Sequence, residues 1–100
     1  MIIAFSVAPT ETPKNQAEMS EAVSAAIKIV RESGLPNETN AMFTLVEGEW
    51  DEVMAVVKRA TDAVLEVSPR VSLVLKADSR PGYTNQITAK VESVERHLSK

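Results

Sequence analysis

The chain contains no cysteine, which excludes disulfide bridges, thiol nucleophiles and cysteine-ligated metal sites. Aromatic residues are nearly as scarce: Phe5, Phe43, Trp50 and Tyr83 are the whole set. Basic residues are outnumbered too, with eleven against fourteen acidic ones and a formal charge of -3. A nucleic-acid-binding sheet needs exposed aromatics and a basic surface, so both shortages argue against a nucleic-acid partner. His97 is the one histidine. No partner stands at a metal-ligand or catalytic spacing from it, so it reads as a surface residue. No apolar run approaches the roughly 20 residues of a membrane helix. The start, Met1-Ile2-Ile3-Ala4-Phe5, lacks the basic region of a secretory signal. These absences predict a soluble cytoplasmic protein with no membrane partner. No repeat or linker interrupts the sequence, which predicts one domain over 1–100. Hydrophobic residues at 44% and charged residues at 25% are enough for a packed core without staples.

Residues 2–8 form a short run with β-branched positions closed by Pro9, which reads as a strand. Because strand side chains alternate, its two rows differ: Ile3, Phe5 and Val7 are bulky, whereas Ile2, Ala4, Ser6 and Ala8 are smaller. The bulky row is expected to face a helix layer and the small row something close. Asn15 with Glu18 resembles a capping box, and Met19, Val23, Ala26, Ile27 and Val30 then recur at helical spacing. Gly34 is the expected left-handed cap of this helix, predicted over about 16–33, with Pro36 beyond it. Residues 37–49 are short and strand-prone. Two short strands reversing near Ala41-Met42 fit them, and one long bent strand is the alternative.

A second helix follows Gly48-Glu49, with Asp51 and Glu52 in its first turn where the helix dipole favours negative charge. Its apolar stripe is Trp50, Val53, Met54, Val57, Ala60, Thr61 and Val64, which assigns Trp50 to the core, and Pro69 stops it. Residues 70–78 alternate as a strand, and Ser79-Arg80-Pro81-Gly82 is turn chemistry. A last helix over about 85–98 carries Ile87, Val91, Val94 and Leu98 on one narrow face. The order β-α-β-β-α-β plus a C-terminal helix predicts an α+β, ferredoxin-like antiparallel sheet with two helices on one face. The other face then needs a partner, a ligand or a polar surface. Its mixture of Ile2, Ala4 and Val74 with Ser6, Ser72 and Lys76 suggests association through the sheet.

Catalysis finds little support. Acylphosphatases share the architecture but use an arginine after the first strand, where this chain has only Lys14. There is no glycine-rich phosphate loop, no Ser-His-acid set and no metal cluster in the pattern.

The run Thr44-Leu45-Val46-Glu47-Gly48-Glu49-Trp50-Asp51-Glu52-Val53-Met54 resembles the signature of the YkoF-like thiamine-binding proteins. The opening strand ending in Pro9, the strand Leu75–Arg80 and the C-terminal Lys90–Glu95 agree with it in order and spacing. The resemblance implies a ferredoxin-like domain that forms dimers or tetramers through its sheets. It also implies a non-catalytic pocket for thiamine or its hydroxymethylpyrimidine part, with no cofactor. A departure stands at Ala41-Met42-Phe43, where relatives often carry Gly, Ser or Asn. Thiamine is a cation with an aminopyrimidine ring, so a site for it needs a carboxylate or amide, a flat apolar wall and little competing positive charge. Ser6, Asn40, Thr44, Glu47 and Asp78 are the candidate ligand-binding residues. Each has a plainer reading. Ser6 is a close-packing residue, Asn40 a turn former, Thr44 a strand former, Glu47 a strand-end carboxylate held by a lysine or by the next helix's amides, and Asp78 a surface partner of Lys76. The rival function is a structural or regulatory oligomer with another ligand or none.

Overall fold

A computed structural model describes residues 1–10 and 16–99, with the backbone alone described for 16–19. The expected capping pair Asn15 and Glu18, the stripe residue Met19 and Lys14 lie outside the described side chains. The elements run β1 (Ile2–Pro9), α1 (Gln16–Glu32), β2 (Asn37–Thr39), β3 (Thr44–Glu47), α2 (Trp50–Leu65), β4 (Val71–Asp78) and α3 (Gln86–Leu98). Two short strands therefore occupy 37–47, not one bent strand. Their reversal is closed by Asn40, whose side-chain oxygen accepts the N–H groups of Met42 and Phe43 at 2.8 Å each. The four strands lie in the order β2-β3-β1-β4, every neighbour antiparallel. This is the ferredoxin-like arrangement with an added helix.

Register assigns the faces, because residues directly opposite one another share one side of the sheet. Ile3 faces Val46 and Ala77, and Phe5 faces Thr44 and Leu75. That row meets the helices: Ile3, Phe5, Val30, Val46, Val53, Val57, Ala60 and Val64 form one buried cluster. The expected bulky row of β1 thus points where alternation placed it. Gly34 ends α1 at φ +81°, as its cap position requires. At the start of α2, Glu49 and Glu52 form a reciprocal capping box.

One expectation changes. Trp50 is not core, since it stays 59% exposed. It occupies the first position of α2, in a turn whose residues Glu49, Asp51 and Glu52 are exposed as well, and Val56 takes a buried place in the stripe instead. The apolar stripe of α3 is covered only at its start. Gln86, Ile87, Ala89 and Ser93 are its partly covered positions, while Val91, Val94 and Leu98 remain exposed. No residue of α3 is fully buried.

Candidate functional site

The five candidate residues divide between two places. A cavity of about 150 Å³ opens between α1 and the β2–β3 reversal, and Ser6, Asn40 and Thr44 line it. Its apolar walls come from Phe5 and Val7 of β1 and from Val23, Ala26, Ile27 and Val30 of α1. The cavity exists because the helix-facing row of β1 and β3 ends in Thr44, a smaller residue than Ile3 or Phe5, just where the chain turns away. Ala41, Met42 and Phe43 form its rim, with Met42 74% exposed. The departure from the family pattern therefore falls on the mouth of the cavity.

Thr44 sits opposite Phe5 in the row that faces α1. Its hydroxyl has no hydrogen-bond partner among the described residues. Asn40 spends its carbonyl oxygen on the turn, which leaves its amide N–H groups as donors at the rim. Ser6 borders the same cavity, but its register opposite Val74 puts it in the open-face row. Sequence reasoning read Val23 and Ile27 as core alone and passed over Thr39, which also lines the cavity. The one available signal was polar Thr39 and Thr44 flanking a reversal beside an apolar helix stripe.

Glu47 and Asp78 lie at the other end of β1, both opposite Ile2 on the open face. Glu47 is 5% exposed. Its carboxylate accepts the Gln86 N–H at 3.0 Å and the Ile87 N–H at 3.2 Å. These are first-turn amides of α3, which have no partner within their own helix. Helix amides do hold Glu47, but they belong to α3 and not to the next helix, α2, which the plainer reading named. Asp78 is bound by the ammonium of Lys90, also from α3. That hydrogen bond, then the charge of Lys90 and those of Lys76 and Arg80, hold the Asp78 carboxyl below its ordinary value against slight desolvation.

A carboxylate whose pKa is lower folded than unfolded adds stability that is complete above the unfolded value, about 3.9. It is lost as the pH falls through the folded value. The Asp78–Lys90 link should therefore be unchanged between about pH 5 and 8 and be released only in stronger acid. Because the pair is half-exposed, added salt should weaken it. Amide exchange of α3, followed against pH and salt, checks both statements. A loss of protection already at pH 6 would contradict them.

Among the described residues no group of three or more His, Asp or Glu is placed to hold a metal ion. No described helix is long and apolar enough to cross a membrane.

Comparison with known proteins agrees with this architecture. A UPF0045 protein of Mycobacterium bovis is 52% identical over 99 residues, spanning 98% of this chain and 94% of its own length. A hypothetical protein of Methanocaldococcus jannaschii, solved as a crystal structure, superposes with a TM-score of 0.80 at 32% identity over 94% of both chains. A domain of unknown function from Bacillus cereus gives 0.78 at 35% identity, covering 90% of this chain and 85% of that one. The family model described as thiamine-binding protein matches residues 3–95, and the chain belongs to that family.

Proposed function

We propose that this protein binds thiamine, or its hydroxymethylpyrimidine part, without catalysis, in the cavity between α1 and the β2–β3 reversal. The observation that carries the reading is the pairing of unspent polar groups, the Thr44 hydroxyl and the Asn40 amide, with an apolar wall from α1. An aminopyrimidine presents ring acceptors beside an exocyclic donor, and those groups are complementary to it. At about 150 Å³ the cavity is smaller than the roughly 300 Å³ at which sites for drug-sized ligands begin. It suits one ring, with the remainder of the vitamin outside past Met42. Ser6 is assigned to the edge of this site. Glu47 and Asp78 stand outside it, at the other end of β1, where they hold α3.

Family membership in a group of binding proteins favours a non-enzymatic role. Self-association to a dimer or tetramer through the sheet belongs to the same proposal. Its support is the exposed apolar surface of Val74 on the open face together with Val91, Val94 and Leu98 on α3. That surface is also what favours the second reading, an oligomer with a different ligand or none.

Isothermal titration with thiamine, thiamine phosphate and hydroxymethylpyrimidine separates the two. Saturable heat is expected, with the pyrimidine alone retaining most of the affinity. Thr44→Val should weaken binding about 3- to 10-fold, the value of one neutral hydrogen bond. No heat and no melting shift at millimolar ligand would leave the oligomer reading in possession.

A further inference from the structure

A second cleft, about 240 Å³, opens at the far end of β1 from the first, between the start of α2 and the β4–α3 connection. Trp50, Arg80, Tyr83 and Glu49 line it together with Ser79 and Gly82. Its residues come from a built turn. The Tyr83 N–H donates to the Arg80 carbonyl at 3.2 Å, Pro81 and Gly82 fill the two central positions, and Gly82 has φ +85°. That is the pattern of a type II turn, which needs a residue tolerant of positive φ at its third position. The turn sets its two ends side by side, so the Arg80 guanidinium lies 3.6 Å from the centre of the Tyr83 ring.

This stacking fixes the arginine without using its N–H edge. Among the described residues Arg80 makes no ion pair, and no hydrogen bond involves its side chain. The neighbouring carboxylates make their direct contacts elsewhere, although Asp78 feels the charge of Arg80. Glu49 accepts the Glu52 N–H in the capping box, and Asp78 is held by Lys90. The opposite side of the cleft carries Trp50, 59% exposed, while Tyr83 is 48% exposed. Two large open rings and one positioned guanidinium share a single concavity. A flat ring stacks on such surfaces, and a guanidinium fork binds a carboxylate or phosphate through paired N–H groups.

We infer that this cleft is a second binding site, separate from the cavity at Thr44, for a flat heteroaromatic ring carrying an anionic group. Trp50 and Tyr83 supply the stacking surfaces and Arg80 reads the charge.

Trp50 is the chain's one tryptophan, so its fluorescence reports directly on this cleft. Adenosine 5′-monophosphate serves as the probe, with adenosine and inorganic phosphate as its two halves. Saturable quenching by the monophosphate is expected, with each half binding at least about 10-fold more weakly. Arg80→Gln and Tyr83→Ala should each weaken the monophosphate by about 10-fold or more. Both positions are exposed, so melting temperatures should stay at the parent value. Thr44→Val should leave this signal untouched, which keeps the result independent of thiamine binding. The inference is overturned if quenching does not saturate by about 10 mM, if Arg80→Gln binds as the parent does, or if adenosine equals the monophosphate.

Discussion

Phe5→Ala is expected to destabilise the fold by about 3–5 kcal/mol, the range for removing a well-packed aromatic ring. The ring is 3% exposed and sits mid-strand in β1, the strand that pairs on both sides. Its cross-strand neighbours are Thr44 and Leu75, and α1 and α2 close over the row. Nothing small and mobile stands ready to fill the space, because Val46, Val53 and Val57 are held in the same cluster. For a domain of this size the loss corresponds to a fall in melting temperature of roughly 12 °C or more. Phe5 is also part of the wall of the Thr44 cavity, so truncation joins that cavity to the core. Urea unfolding measures the effect. A change below about 1 kcal/mol would show that the sheet collapses onto the vacancy and that the packing around Phe5 is not rigid. Phe5→Leu keeps most of the volume and is expected to cost much less.

That sensitivity follows from a pattern the sequence displays openly. A strand has a period of two, so Ile3, Phe5 and Val7 could be assigned to one face before any fold was known. The same holds for Gly34, where the need for positive φ after a helix leaves few other residues. What stayed hidden depends on ends and on third parties. Trp50 has the right spacing for the α2 stripe, but spacing says nothing about whether the first turn of a helix is covered. The α3 stripe is regular too, yet which side of α3 meets the sheet is set by Glu47 and Asp78 gripping its first turns. Those contacts span about forty residues for Glu47 and twelve for Asp78, and no local rule reaches so far. The candidate site was legible in proportion. Asn40 and Thr44 flank a reversal that the sequence marks, whereas Arg80 and Tyr83 read as turn chemistry until the type II geometry put the cation on the ring.

The second large effect is expected from Glu47→Ala, which should release α3 from the sheet. α3 buries no residue of its own, so little apolar burial holds it in place. A free helix of 13 residues is marginal in water, so once undocked it should also unravel. Removing the carboxylate strands two first-turn amides, each worth about 1–3 kcal/mol if left buried and unpaired. Undocking lets water satisfy them, so the measured loss of global stability should lie near the lower end, about 1–2 kcal/mol. The amides of α3 should lose most of their exchange protection, while those of β1 and β3 change only by the global amount. Glu47→Gln keeps a carbonyl acceptor and should fall between. If α3 stays protected in Glu47→Ala, the Lys90–Asp78 link is the principal anchor, and Asp78→Asn should then free the helix. Titrating the same variant with thiamine separates positioning from contact. Thiamine affinity should survive Glu47→Ala, because the carboxylate lies at the opposite end of β1 from the Thr44 cavity. A variant that keeps α3 docked yet no longer binds would place Glu47 on the ligand after all.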